Sequence, residues 1–337
     1  MATDLSSFPR IQLGQWPSPL QVCPRLSASL GSTGGGPTVL VKRDDVGLIG
    51  VGGNKLRKLE FLLGAAVRDG AERIITFGAV QTNHGRLTAA ACARLGLPCD
   101  LVLTRAVPRD GEAYERSGNI LLDHLYGATV HVLDTDEQAA ARHQELLAGH
   151  GNVVSIPVGG STGVGALGYV QAVAELIGQF GDTGVWPSRL VAPLASAGTA
   201  AGLIVGAAAF GWEIDIDLIA VSRPVEQARQ VLLPLVEETA ALLDLTPPSL
   251  DRVRITDRSL GPGYGQPTDE VWRAISLFGA TEAITLEPVY SGKTAAGMVS
   301  LIEDGSIGAA ETVLFLHTGG LPGLFAYTPE AAAALGP

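Results

Sequence analysis

The chain has 337 residues, 43 of them glycine, and a formal net charge of −11 at pH 7. This length suffices for one large domain or two moderate domains with well-buried cores. The negative charge argues against a nucleic acid or an anionic membrane as the main partner. Apolar runs such as residues 203–210 are too short to span a bilayer, so no membrane-spanning segment is predicted.

The cysteines and the N-terminus indicate the cellular compartment. Cys23, Cys92 and Cys99 are odd in number and have no metal-like spacing, so we predict no metal site. Residues 1–5 lack the basic and apolar segments of a secretory signal. A reduced, cytoplasmic protein is the simplest interpretation.

Strand-like and helix-like segments alternate along the chain. The predicted strands are 38–43, 73–77, 99–104, 129–133, 152–156, 189–192, 214–221 and 312–316. The predicted helices are about 55–69, 83–95, 115–126, 136–149, 163–180, 198–210 and 224–243. This alternation implies an α/β fold with mostly parallel sheet covered by helices on both faces.

The first glycine-dense turn, residues 47–53, connects a strand to the helix that begins near Lys55. Most lysines are solvated cations, and one interpretation of Lys55 is that it is another. The alternative is a reactive amine that forms a Schiff base, which requires partial desolvation and nearby positive charge. Arg57 and Lys58 are the basic neighbours that such a site would use.

The second turn, Gln81-Thr82-Asn83-His84, lies between a strand and a helix. One interpretation is ordinary helix capping by Thr82 or Asn83. The other is an anion site formed by free backbone amides at the helix N-terminus, and the two are compatible. His84 by itself would more often pack or hydrogen-bond than catalyse.

A third turn, Ser196-Ala197-Gly198-Thr199, has the small residues and hydroxyls of a phosphate cradle. It lacks a Walker lysine and the Gly-x-Gly-x-x-Gly spacing, so a single phosphate is favoured over a nucleotide. The segment 159–163, Gly-Gly-Ser-Thr-Gly, is a second possible cradle, which we rank as a structural turn that shapes the cleft.

Two tyrosines and one threonine complete the set of candidates. Tyr264 and Tyr290 stand on loops rich in glycine and proline, where ligand contacts are common. Thr318 follows the last strand, at the carboxyl end where open α/β sheets bind ligands.

Residues 52–60, Gly-Gly-Asn-Lys-Leu-Arg-Lys-Leu-Glu, resemble the cofactor-lysine motif of pyridoxal-phosphate enzymes of the tryptophan synthase β-like fold, fold type II. The similarity is greatest to the branch containing D-cysteine desulfhydrase, 1-aminocyclopropane-1-carboxylate (ACC) deaminase and L-cysteate sulfo-lyase. Five separated motifs within residues 9–325 carry the resemblance. It implies two domains with open, twisted, mostly parallel sheets flanked by helices. Residues 1–51 and 161–337 would form a large cofactor-binding domain and 52–160 a small inserted one, with the active site in the cleft between them.

The resemblance also implies roles for individual residues. The implied cofactor-binding residues are Lys55, Asn54, Lys58, Ser196, Ala197, Gly198, Thr199 and Thr318. The implied substrate-binding residues are Gln81, Thr82, Asn83, His84, Tyr264, Tyr290 and Ser291. The implied catalytic residues are Lys55, Tyr290, Tyr264 and Thr82. The cofactor would be pyridoxal 5′-phosphate, the partner a small amino-acid substrate, and the assembly a homodimer.

The resulting functional prediction is a lyase that catalyses β-elimination from a cysteine-like amino acid, giving pyruvate, ammonia and a sulfur leaving group. Sulfite release from cysteate is an alternative. ACC deamination is disfavoured because Ser291 stands where that branch carries glutamate. A non-catalytic binding protein is disfavoured because Lys55 and both tyrosines are present. A nicotinamide dehydrogenase is the weakest alternative, since the dinucleotide fingerprint is missing.

Overall fold

The computed structural model describes residues 4–31, 35–149 and 151–336, and within them the chain forms ten strands and thirteen α-helices. The strands are β1 (Leu20–Val22), β2 (Thr38–Arg43), β3 (Arg73–Ala79), β4 (Cys99–Thr104), β5 (Thr129–Leu133), β6 (Val153–Ile156), β7 (Arg189–Leu194), β8 (Asp215–Ala220), β9 (Val253–Thr256) and β10 (Thr312–His317). The helices are α1 (Pro24–Ser29), α2 (Lys55–Arg68), α3 (Asn83–Leu95), α4 (Glu112–Arg116), α5 (Gly118–Leu125), α6 (Asp136–Ala148), α7 (Gly163–Thr183), α8 (Gly198–Ala209), α9 (Val225–Ala241), α10 (Asp269–Glu282), α11 (Ser291–Glu303), α12 (Leu321–Phe325) and α13 (Thr328–Leu335).

The strands form two sheets. The six-stranded sheet has the order β1-β2-β10-β7-β8-β9, and the four-stranded sheet has the order β5-β4-β3-β6. Every pair is parallel except β1 with β2. The predicted α/β class with mostly parallel sheets is therefore confirmed.

The strands of the smaller sheet all come from residues 73–156, and those of the larger sheet come from 20–43 and 189–317. This distribution agrees with an insertion at 52–160. The domain boundaries themselves stay a prediction.

Close helix packing explains part of the high glycine content. On α8, a Cβ added to Gly202 would lie 2.2 Å from the carbonyl oxygen of Ala166 on α7, and one added to Gly206 would lie 2.9 Å from Val173. Only glycine allows the two helix backbones to approach this closely. The closely packed helices α7 and α8 cover the larger sheet. Helix α8 begins just after the carboxyl end of β7.

The short elements β1, α1, α12 and α13 were not predicted from the sequence, and two longer regions also differ from the prediction. The helix predicted over 115–126 is two short helices, because Ser117 has extended backbone angles of φ −116° and ψ −171°. Residues 244–311 contain β9, α10 and α11, none of which was predicted. Of the helices in the described part of the chain, none combines the length and apolarity needed to cross a membrane.

Candidate active site

One cavity of about 770 Å³ lies where β3, β4, β7 and β10 end and where α2, α3 and α8 begin. The predicted site residues that line it are Asn54, Lys55, Lys58, Thr82, Asn83, His84, Ser196, Ala197, Thr199, Tyr264, Tyr290 and Thr318. Three others, Gln81, Gly198 and Ser291, lie beside the cavity and outside its lining. Residues far apart in sequence thus meet at the carboxyl ends of both sheets.

Lys55 is the first residue of α2. Gly52 and Gly53 precede it with φ of +67° and +135°, a backbone conformation that favours glycine. The Asn54 amide donates to the carbonyl of Thr318 at 3.0 Å, which fixes this turn against the end of β10. The Lys55 side chain has no hydrogen-bond partner within the described residues, and burial lowers its pKa to about 8. About one tenth of this amine is therefore unprotonated at pH 7, far more than for an ordinary lysine.

The motif led us to expect Arg57 as a basic neighbour of the Lys55 amine, but its side chain points elsewhere. Its buried guanidinium pairs with Asp44 at 2.8 Å and Glu175 at 2.9 Å, and it stacks 3.8 Å from the ring centre of Trp16. Arg57 thus anchors α2 on the side away from the cavity. The physical cause of the low Lys55 pKa is burial.

Lys58 extends toward the N-terminus of α8. Its Nζ donates to the Gly159 carbonyl at 3.0 Å and to the Ser161 hydroxyl at 3.2 Å. The side chain is buried, and among the described residues no carboxylate accepts a hydrogen bond from it. Burial, and then the charge of Lys55, lower the Lys58 pKa well below its ordinary value. An anion placed here would remove this penalty.

The cradle at the start of α8 has the geometry of a small anion site. Ala197 has φ +65°, which turns the chain sharply before the first helical residue. A Cβ on Gly198 would lie 2.8 Å from the Lys58 Nζ and from the Ser161 hydroxyl, so glycine keeps the approach to the helix open. The side-chain amide of Asn54 donates through Nδ2 to the Thr199 hydroxyl at 3.0 Å. Backbone amides, the helix dipole and a buried ammonium converge on one point, as a phosphate requires.

Ser161 is a cradle residue that sequence reasoning ranked as part of a structural turn. Its hydroxyl lies 2.9 Å from the Ser196 hydroxyl and accepts from the Gly198 amide at 3.2 Å. The Gly-Gly-Ser-Thr-Gly motif carried this signal. That this turn faces the turn at Ser196–Thr199 could be seen only in the folded structure.

The turn before α3 combines capping with an open face. Thr82 accepts from the Gly85 amide at 3.1 Å, which confirms the capping interpretation. His84 Nε2 lies 2.8 Å from the Thr76 hydroxyl, and its Nδ1 is buried without a partner in the described structure. Burial and the two nearby lysines lower the His84 pKa, so this ring is neutral. Gln81 instead donates to the Tyr114 and Ser117 carbonyls, away from the cavity.

The two tyrosines meet at the cavity wall. The Tyr264 and Tyr290 hydroxyls are 2.5 Å apart, with ring centres separated by 5.9 Å. Burial raises both pKa values, so the hydroxyls stay protonated. Lys293 holds the Tyr264 loop by donating to the carbonyls of Leu260 and Gly263, at 2.6 Å each. The pair is a fixed, neutral source of hydrogen bonds.

Ser291 is fully buried at the start of α11. Its hydroxyl accepts a hydrogen bond from the Glu287 backbone amide at 2.9 Å and donates to the Glu287 carboxylate at 3.3 Å. That carboxylate also accepts from the amides of Val289 and Tyr290, at 2.8 and 2.7 Å. Glu287 therefore caps α11 and fixes the Tyr290 backbone, while Ser291 supports the cap.

A family model described as "Pyridoxal-phosphate dependent enzyme" matches residues 11–319. D-cysteine desulfhydrases of Salmonella choleraesuis (strain SC-B67) and Salmonella typhi are each 39% identical over 330 residues, covering 97% of this chain and 98% of the relative.

Two solved structures extend the comparison. A crystal structure of an ACC deaminase homologue superposes with a TM-score of 0.88 at 37% identity, covering 98% of this chain and 97% of the other. An L-serine ammonia-lyase from the fungus Rhizomucor miehei has a TM-score of 0.68 at 20% identity, covering 95% and 99%, and shows the fold alone.

Proposed function

Since this chain belongs to the pyridoxal-phosphate-dependent enzyme family, we propose that it is a carbon–sulfur lyase that releases sulfide from D-cysteine or a similar amino acid. The other products are pyruvate and ammonia. The observation that carries the proposal is one cavity joining a half-buried lysine and a phosphate cradle to a pair of protonated tyrosines. The 39% identity to D-cysteine desulfhydrases over 97% of the chain supports cysteine as the substrate.

The cofactor is pyridoxal 5′-phosphate, and the residues present fit it. Lys58 is a buried ammonium without a carboxylate partner in the described chain, and it adjoins the glycine at the start of α8 where a Cβ would collide. These residues, with Ser161 and Thr199, would hold the phosphate. When bound, the cofactor supplies a conjugated ring that stabilises negative charge at the substrate's α-carbon.

Thr318 and Asn54 would contact the ring of the cofactor. The Thr318 hydroxyl is a neutral partner for the ring nitrogen, whereas a carboxylate would hold that nitrogen protonated. A neutral partner gives a weaker electron sink, which suits a reaction in which the leaving group carries the electrons away. Gly319 and Gly320, with φ of +87° and +107°, keep side chains clear of this edge.

Lys55 would be the attachment point and the base. Its pKa of about 8 leaves the amine available to bind the cofactor and, once released, to take the α-proton of the substrate. The Thr82–His84 turn would bind the substrate carboxylate through its free amides and the neutral His84 ring. The tyrosine pair would donate a proton or hydrogen bond toward the departing sulfur.

ACC deamination is the second candidate, favoured by the solved homologue at 37% identity. Among the described residues that line the cavity, Asp136 is the one carboxylate, and position 291 is a buried serine outside the lining. We therefore rank deamination below cysteine elimination, and the identity to D-cysteine desulfhydrases ranks cysteate cleavage below it as well.

The test is the keto acid that the purified holoenzyme releases from D-cysteine, L-cysteine, L-cysteate and ACC. Pyruvate with sulfide from a cysteine supports the proposal and identifies the preferred enantiomer. 2-Oxobutyrate from ACC would favour the deaminase, and sulfite from L-cysteate would favour the sulfo-lyase. No product from any of the four would refute the lyase assignment.

We also propose a cytoplasmic homodimer. Buried, unpaired Cys23, Cys92 and Cys99 suit a reducing compartment.

The apolar side chains of Leu121, Leu125 and Phe325 on the adjoining α5 and α12 are 55%, 71% and 56% exposed, as in a surface that pairs with a second copy. Light scattering should give twice the chain mass. A monomer in wild type would refute the dimer.

A further inference from the structure

The cavity extends beyond the predicted catalytic residues, between the carboxyl edge of the smaller sheet and helix α6. No residue of this extension was predicted as part of the site. Its lining residues are Phe77, Val102, Ala139, Ala140 and His143, and we call it the α6 branch. It is continuous with the part of the cavity that contains Lys55 and the tyrosine pair.

Apart from Asp136 at the start of α6 and the His143 ring, the walls of the α6 branch are apolar. Phe77 and Val102 stand on adjacent strands in register with each other. The His143 ring packs edge-on against Phe77 with ring centres 4.9 Å apart, and its Nε2 lies 2.7 Å from the Ser155 hydroxyl. On α6, Ala139 and Ala140 present only methyl groups, so the space between helix and sheet stays open. Such a surface favours an apolar ligand group.

The cavity volume exceeds what the cofactor and cysteine need. Together they contain about 23 non-hydrogen atoms, and at the roughly 30 Å³ of a water molecule in the liquid this gives an upper bound of about 690 Å³. The cavity measures about 770 Å³. The excess corresponds to about two or three further non-hydrogen atoms, the size of a short alkyl chain.

We infer that the α6 branch holds the alkyl group of S-substituted cysteines, so that the enzyme eliminates thiols as well as sulfide. This inference rests on the proposed β-elimination and names its wider substrate class. Cysteine alone would leave the apolar walls of the branch facing water, and an S-alkyl group would cover them.

The reaction is balanced with water as the only co-reactant. The Cα–H and Cβ–S bonds break, the electron pair of the Cβ–S bond leaves with sulfur, and the thiolate takes up a proton. Hydrolysis of the remaining enamine gives pyruvate and ammonium. One S-alkylcysteine and one water therefore yield one thiol, one pyruvate and one ammonium ion, without an oxidant or a reductant.

The test compares cysteine with S-methyl-, S-ethyl- and S-propylcysteine, both enantiomers of each, on the holoenzyme. The measurements are kcat/KM for pyruvate release, identification of the thiol, and Kd from the change in cofactor absorbance on ligand binding. Each added methylene buried in the branch should raise kcat/KM and tighten Kd by about fourfold.

A matched pair of variants locates the effect. Ala140→Phe places a ring in the branch from an exposed helix position, and it should lower the ratio of S-propylcysteine to cysteine in kcat/KM at least tenfold. Ala141→Phe is the control, because Ala141 is exposed on the same helix, about 100° around its axis, and lies outside the lining. It should leave that ratio unchanged.

If the enzyme turned over cysteine but kcat/KM and affinity fell as the S-alkyl chain lengthened, the inference would be overturned. The proposed function would remain intact. Equal effects of Ala140→Phe and Ala141→Phe on the ratio would also overturn it. If neither cysteine nor any S-alkylcysteine gave pyruvate, the proposed function and the inference would both fail.

Discussion

Replacing Lys58 with methionine tests the phosphate cradle directly. The substitution keeps an unbranched side chain of similar length and removes the buried ammonium. Within the described part of the chain that ammonium donates to two neutral acceptors alone, the Gly159 carbonyl at 3.0 Å and the Ser161 hydroxyl at 3.2 Å. It is therefore free to bond a phosphate, and its burial without a carboxylate costs stability when the phosphate is missing.

The expected magnitude follows from the strength of one charged hydrogen bond, about 1.5–3 kcal/mol. Lys58→Met should weaken pyridoxal 5′-phosphate binding by about 10- to 150-fold. Pyridoxal has no phosphate, so its Kd should change by less than about threefold. The cofactor-free variant should be at least as stable as the cofactor-free wild type, because a poorly compensated buried charge is gone.

The assay is a titration of cofactor-free protein with each compound, followed by absorbance, together with urea unfolding of both cofactor-free proteins. Lys293→Met is the control. That lysine is also buried, but it donates to the carbonyls of Leu260 and Gly263 on the Tyr264 loop. Its loss should leave the ratio of pyridoxal Kd to pyridoxal phosphate Kd unchanged. If Lys58→Met weakened both compounds equally, the cradle would not be at Lys58.

Three further predictions concern the anchor, the acid pair and the base. Arg57→Met should lower the free energy of unfolding in urea by about 3–5 kcal/mol because it leaves the buried Asp44 carboxylate without its ion-pair partner. Arg68→Met, which removes an exposed ion pair, should change it by less than about 1 kcal/mol. Tyr290→Phe should lower kcat about 100-fold or more, with a smaller effect on KM, since it removes a proton donor; equal changes in kcat and KM would contradict that role. The rate at which cofactor-free protein takes up pyridoxal phosphate should rise about tenfold per pH unit up to pH 8 and level off above it, because the unprotonated Lys55 amine reacts. A continued rise to pH 10 would mean that its pKa is not lowered.

Turns at strand ends were the part of the site that sequence could predict. The glycines before Lys55 signal a backbone conformation with positive φ, and Gly198 signals a close approach of neighbouring atoms. The structure has the first feature at Gly52 and Gly53 and the second at Gly198. Repeated strand–helix spacing was equally informative, because it is local and periodic. Twelve of the predicted site residues consequently line a single cavity.

Side-chain direction was the part that sequence could not predict. Arg57 lies two residues from Lys55 but on another face of α2, where its direction depends on Asp44 and Glu175, partners distant in sequence. Gln81 likewise donates to the distant carbonyls of Tyr114 and Ser117, whereas the Ser291 hydroxyl pairs with Glu287, four residues before it.

Helix α11 was missed for a different reason. Its Gly292 and Gly297 are poor helix formers, and the helix is stabilised by packing that sequence does not reveal. A Cβ on Gly297 would lie 2.8 Å from the side chain of Ile219 on β8, so glycine there allows close contact with the sheet. Tertiary packing outweighs local propensity in this helix.

The measurement that tests the central claim most directly is the identity of the lysine that carries the cofactor. Holoenzyme is treated with borohydride to make the lysine–cofactor bond permanent, then digested and mapped by mass spectrometry. The site described here predicts that the added mass lies on Lys55 alone. Labelling of Lys58, Lys293 or any other lysine in its place, or of none, would contradict it.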